Sequence, residues 1–170
     1  MYLRYGKFLV GKMFSSALKK SIQVNKKCLF LLFQIRAFNK RIKIMNIPAD
    51  LLYTKNHEWL RVEDGMGVIG ITDFAQSQLG DIVFIEIETV GETLQKEDTF
   101  GTIEAVKTVS DLFMPIGGEV IEANPELENS SALINSDPYD AGWLIKVKIA
   151  DTAELSALMS AEEYEKMLMG

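Results

Sequence analysis

Phe100-Gly101-Thr102-Ile103-Glu104-Ala105-Val106-Lys107-Thr108-Val109-Ser110-Asp111-Leu112-Phe113-Met114-Pro115 sets a single lysine between two β-prone stretches, and Lys107 is the only cation between Lys96 and Lys146. Thr108, Ser110 and Asp111 favour a turn nearby. The run therefore reads as a hairpin with Lys107 at its tip, where a side chain projects furthest and its amine stays solvated. Schiff-base catalysis by this amine would require a desolvated nucleophile, and a polar turn near Glu104 and Asp111 does not desolvate. Spacing alone fits a plain solubilising turn residue at least as well.

The other reactive side chains are few. One Cys rules out a disulfide framework, and with one His it leaves no multi-Cys zinc or iron–sulfur site. No Gly-x-Ser-x-Gly elbow or phosphate-binding loop is present, and a lone His cannot serve a hydrolytic triad in their absence. His57 precedes Glu58 and Trp59 in an alternating stretch, where an imidazole serves a structural hydrogen bond. Cys28, isolated, reads as inert.

Charge is divided unevenly along the 170 residues. Residues 1–44 hold 11 of the 18 Lys and Arg and no acid, which leaves 7 basic against 24 acidic residues, a net charge of −17, in residues 45–170. A body this acidic repels phosphate backbones, which argues against nucleic acid as a partner and for basic or patch-complementary proteins. The longest apolar run of the basic segment, Cys28 to Phe33, is far short of the roughly 20 residues of a membrane-spanning helix. No membrane role is expected, nor a secretory signal, since both flanks are cationic. Ser15, Ser16 and Ser21 among basic residues fit a mitochondrial transit peptide by composition. The preferred reading makes Met45 the initiator, followed at once by Asn46-Ile47-Pro48-Ala49-Asp50. Residues 1–44 are then an extension that is not folded, and residues 45–170 are the folded domain.

Behind the reactive run stand the elements that must position it. Val83, Ile85 and Ile87 alternate with Phe84, Glu86 and Glu88. Trp143, Ile145, Val147 and Ile149 alternate with Leu144, Lys146 and Lys148. Both are period-2 signatures of half-buried strands. Asp64-Gly65 and Gly117-Gly118 mark tight turns, and Pro125 to Gly142 reads as a long loop. Asp73 with Gln76 is expected to cap a short helix ending at Gly80, and Ser160 with Glu163 to form a capping box opening a C-terminal helix. Asp151 with Glu154 caps a short piece before it. The fold class is mainly β and antiparallel, with short helices at the margins.

The run Glu104-Ala105-Val106-Lys107-Thr108-Val109-Ser110-Asp111 resembles the lipoylation site of the glycine cleavage system H-protein family. Tyr53-Thr54-Lys55-Asn56-His57-Glu58-Trp59, Gly70-Ile71-Thr72-Asp73-Phe74-Ala75-Gln76, Leu79-Gly80-Asp81-Ile82-Val83, Pro115-Ile116-Gly117-Gly118-Glu119-Val120 and Asn135-Ser136-Asp137-Pro138-Tyr139 through Trp143 are similar to the family's segments, in order, over Ile47 to Leu168. The resemblance implies a barrel-sandwich hybrid with lipoic acid amide-linked to Lys107. It implies no catalysis by the chain itself, which presents a mobile arm to other enzymes. The implied partners are glycine decarboxylase (P-protein), which loads an aminomethyl group, aminomethyltransferase (T-protein), which releases it, dihydrolipoyl dehydrogenase (L-protein), which reoxidises the arm, and the lipoate-attaching enzymes. By the same resemblance Glu58 and Asp111 are candidates to contact the loaded arm. Gln78 replaces a His of some members. The location that follows is bacterial cytoplasm, or the mitochondrial matrix if residues 1–44 are a transit peptide.

Rival swinging-arm domains fit less well. Biotin carriers usually flank the lysine with Met, where Val106 and Thr108 stand here, and 2-oxoacid dehydrogenase lipoyl domains commonly show Asp-Lys-Ala. Both lack the Asp137 to Trp143 block. A lipoyl-relay donor built on the same scaffold is indistinguishable at this level.

Overall fold

The computed structural model describes residues 45–170, and the expectations for residues 1–44 and Cys28 lie outside the described residues. The alternating runs become β1 (Leu52–Tyr53), β2 (Glu58–Glu63), β3 (Met66–Ile71), β4 (Ile82–Glu86), β5 (Thr93–Leu94), β6 (Thr99–Ala105), β7 (Thr108–Phe113), β8 (Gly118–Ala123) and β9 (Ile145–Ile149). They form a six-stranded sheet in the order β1-β2-β3-β9-β8-β5 and a three-stranded sheet in the order β4-β6-β7. Every pairing is antiparallel.

The two sheets share one apolar core. Leu60, Ile69, Ile145 and Val147 face it from the larger sheet, Phe100, Ile103 and Leu112 from the smaller, and Met114 and Ile116 fill the crossing between them. At about 25 cal/mol per Å² of apolar surface removed from water, this cluster is the main stabilising contribution. The arrangement is the mainly β, barrel-sandwich hybrid expected, with helices at Asp73–Leu79, Leu133–Ser136 and Ala161–Met169 at its margins. A second cluster joins Tyr53, Trp59, Val68, Tyr139 and Tyr164. Tyr164 docks the C-terminal helix by stacking on Tyr53, with ring centroids 4.7 Å apart. Among the described residues no helix is long and apolar enough to cross a membrane.

Local chemistry explains where the elements stop. The capping box forms as expected, with the Glu163 amide donating to Ser160 Oγ and the Ser160 amide to Glu163 Oε2. Asp64 (φ 49°) and Gly65 (φ 82°) take the left-handed turn between β2 and β3.

Several expectations are corrected. Thr72, not Asp73, caps the helix Asp73–Leu79, its hydroxyl accepting from the Ala75 amide, while Asp73 accepts from the Gln76 side chain. β4 carries a register shift between Ile82 and Phe84, so Ile82 is buried and Val83 faces out. The bend before β8 falls at Pro115-Ile116, and Gly118 already belongs to the strand. A Cβ on Gly118 would meet the Lys148 carbonyl oxygen at 2.6 Å, so close approach to β9 requires that glycine. The Pro125–Gly142 stretch is structured, with a 3-10 turn at Pro125–Glu128 and the helix Leu133–Ser136. Trp143 lies just before β9.

Candidate functional site: the β6–β7 hairpin

β6 and β7 pair from Thr99↔Phe113 to Ala105↔Thr108, leaving Val106 and Lys107 as the connecting turn. Ile103 and Leu112, both buried, anchor the hairpin in the core, so its stem is fixed while its tip stands in solvent. Ser110 and Asp111, read as turn formers, lie in β7. Among the described non-glycine residues only His57, Asp64 and Glu97 have positive φ, so Lys107 sits in unstrained backbone.

One backbone hydrogen bond ties the tip to a neighbouring segment, and further polar contacts brace that segment. The Val106 amide donates to the Asp81 carbonyl at 3.0 Å. The next amide along that segment, Ile82, donates to Asn135 Oδ1 at 3.0 Å, while Ser131 Oγ donates to the Ile82 carbonyl at 3.3 Å. Asn135 Nδ2 also donates to the Gly80 carbonyl and Gln76 Oε1. Reading the chain for chemistry missed Asn135 in this role. Its signal was a carboxamide in the Asn135 to Trp143 block, with a donor and an acceptor to satisfy.

Lys107 and Asp111 are exposed, whereas Glu58 is 2% exposed. The Glu58 carboxylate accepts from the Thr54 hydroxyl through Oε2 and from the Phe113 amide at 3.3 Å through Oε1. Burial pushes its pKa above the usual 4.5, and the hydrogen bonds from Thr54, its own amide and Phe113 oppose that shift. Glu58 also helps line a cleft of about 260 Å³ with Tyr53, Thr54, Met114, Pro115 and Leu158, and Lys55 and Lys96 are among its other lining residues. Asp111 pairs with Thr102 four residues beyond Lys107, and Glu58 meets β7 at Phe113, six residues beyond. At about 3.4 Å per residue these are roughly 14 and 20 Å along the strand from the lysine. The two acids thus mark points on one path down β7.

His57 is structural in its contacts. Its Nδ1 lies 2.8 Å from the Tyr164 hydroxyl, which is 2.9 Å from Thr72 Oγ1. Burial lowers its pKa below 6.5. Gly65, Gly67 and Gly70 have a Gly-x-Gly-x-x-Gly spacing, and the last two lie within β3. There a Cβ would strike Leu60 at 2.8 Å or Trp59 at 2.6 Å, so they serve sheet packing and do not cradle a phosphate.

The model of the glycine cleavage H-protein family matches residues 51–170. The chain belongs to the glycine cleavage H-protein family. It is 56% identical to the glycine cleavage system H protein of Bacteroides thetaiotaomicron over 126 residues, which span 74% of this chain and all of that one. It is 54% identical to the Listeria monocytogenes H protein over 124 residues, 73% of this chain and 99% of that one. A crystal structure of the Mycobacterium marinum H protein superimposes with a TM-score of 0.67 at 38% identity, covering 73% of this chain and 100% of that one. For an H-protein, the family of lipoyl carriers in glycine cleavage, the braced hairpin with Lys107 at its tip is the feature to explain.

Proposed function

We propose that Lys107 is the residue on which this H-protein carries lipoic acid, and that residues 45–170 are the carrier domain. The observation that carries this reading is the exposed lysine in an unstrained turn whose stem is anchored by Ile103 and Leu112 and whose tip is held by Asp81. The site fits the group, because a side-chain amine standing in solvent accepts an acyl chain without displacing any core residue. Bound there, lipoic acid would supply a redox-active dithiolane able to carry a group on sulfur.

The remaining work belongs to the chain's own residues. A stiff β scaffold fixes the point of attachment, so each partner finds the arm at a raised effective concentration. The partners this role implies are glycine decarboxylase, which would load an aminomethyl group, aminomethyltransferase, which would take it off, and dihydrolipoyl dehydrogenase, which would reoxidise the arm. The chain acts as a carrier subunit and contributes no catalysis of its own. Asp111 and Glu58 place carboxylates along β7 where a cationic amine gains from charge-assisted hydrogen bonds. The bacterial relatives support a cytoplasmic location.

A mass spectrum of the Lys107 peptide from natively expressed protein is the test. A lipoyl adduct on Lys107 is expected. An unmodified lysine, or biotin in its place, overturns the reading.

A further inference from the structure

The outer face of the three-stranded sheet carries apolar side chains that the core does not use. Register sets Phe84, Glu104 and Val109 in one cross-strand row and Glu86, Thr102 and Asp111 in the next. Side chains of one row, and of rows two residues apart, project from the same face. Phe84 is 54% exposed, Val109 63%, Val83 51% and Val106 68%. The β4 bulge turns Val83 outward beside Phe84, where strict alternation would have buried it. Apolar side chains gathered this closely in water favour a second surface over solvent.

The charge around them has one sign. Glu86 and Asp111 are exposed on this face, Asp81 lies at its edge, and the only cation on β4, β6, β7 or their hairpin turn is Lys107 itself. A complementary partner presents an apolar centre with Lys or Arg at its rim.

We propose that this face is where the enzyme that acylates Lys107 docks, with Phe84 and Val109 as its apolar anchors and Glu86 and Asp111 meeting basic residues of that enzyme. The inference rests on Lys107 being the acylated residue. The choice of occupant follows from reach. Before acylation the lysine has no arm, so the attaching enzyme must bring its acyl carbonyl within bonding distance of Nζ, and its surface closes over the residues nearest the tip. Val109 is two residues from Lys107, roughly 7 Å by strand rise. An enzyme that works on a finished arm needs only to reach its far end. In the docked complex the enzyme takes a proton from the lysine ammonium, Nζ bonds to the carbonyl carbon of an activated acyl donor (a mixed anhydride or thioester), and the leaving group departs with the electrons of the broken bond.

The test measures acylation of the full-length chain by a lipoate-attaching enzyme supplied with lipoate and ATP. Phe84→Ser and Val109→Ser are each expected to lower kcat/KM about tenfold, mainly through KM. Phe84→Leu should keep most of the activity. Val62→Ser, at a 44% exposed valine on the other sheet, should match wild type. Trp fluorescence reports that each variant is folded. Phe84→Ser and Val109→Ser rates within twofold of wild type, or an equal loss in Val62→Ser, overturn the docking surface. Failure of wild type and all variants alike to gain lipoate at Lys107 overturns the carrier reading beneath it.

Discussion

The carboxylate of Glu58 on β2 accepts a hydrogen bond from the backbone amide of Phe113 on β7, at 3.3 Å. One buried acid in the six-stranded sheet therefore holds the end of the strand that leads to Lys107 in the three-stranded sheet. Without it, the Phe113 amide and the Thr54 hydroxyl would both lose their acceptor.

Glu58→Ala is expected to destabilise the fold by about 1–3 kcal/mol, the cost of buried groups left without partners. Glu58→Gln, which keeps an acceptor oxygen, should cost less. The pH dependence separates charge from hydrogen bonding. Because the folded pKa is raised above 4.5, the folded state holds its proton more tightly than the unfolded. The resulting stability is full below 4.5 and is lost as pH rises through the raised value. Urea denaturation across that window should show a decline in wild type that Glu58→Gln flattens, and equal slopes would refute the assignment.

Gly101 is a second point of control over the hairpin. A Cβ there would stand 2.5 Å from the Glu86 carbonyl oxygen, and a backbone atom cannot swing aside. Gly101→Ala should force β4 away from β6 and cost about 1–3 kcal/mol. Chemical denaturation gives the number. A variant as stable as wild type would show that the strands have room to part.

Much of this was readable from residue order, and the failures share a cause. Lys107 stood out as a lone cation between two β-prone runs, and the Ser160 and Glu163 box is a local code. The bulge in β4 was invisible, because Ile82 and Val83 compete for one inward position and only pairing with Ala105 and Glu104 decides between them. Thr72 and Asp73 are both capping types, and the chain's entry angle selects Thr72. Gly118 and Asn135 answer to partners 30 and 53 residues away in Lys148 and Ile82, beyond what local pattern reports.

Tyr164 tests how the C-terminal helix is fastened. Its hydroxyl lies between His57 Nδ1 and Thr72 Oγ1, and burial raises its own pKa to about 12. Tyr164→Phe keeps the stacking on Tyr53 and removes the hydroxyl, at an expected cost of about 1–2 kcal/mol. His57, with its folded pKa depressed below 6.5, adds a slope opposite to that of Glu58. Its stability contribution is full above 6.5 and falls as pH drops through the lowered value. Thermal denaturation of wild type and His57→Asn, a residue that tolerates the positive φ of 74°, should differ most above 6.5 and converge as pH falls through the lowered value. Parallel curves would remove His57 from the account.

The two acids along β7 make separate predictions for the lifetime of the loaded arm. Asp111 is exposed, so Asp111→Asn should leave stability within about 0.5 kcal/mol of wild type, and any change in arm lifetime then reports contact alone. Glu58 is buried and bonded on both oxygens, so an amine reaching it must share or displace the Thr54 hydroxyl. A charge-assisted hydrogen bond contributes about 1.5–3 kcal/mol, and 1.4 kcal/mol corresponds to about tenfold in an equilibrium. Glu58→Gln is accordingly expected to shorten the lifetime of the aminomethyl-loaded arm about tenfold, and Asp111→Asn by less. Release of formaldehyde and ammonia from loaded protein, followed over time, measures both. An unchanged rate in the two variants would leave Glu58 as the clasp on Phe113 alone and return Asp111 to an ordinary surface acid.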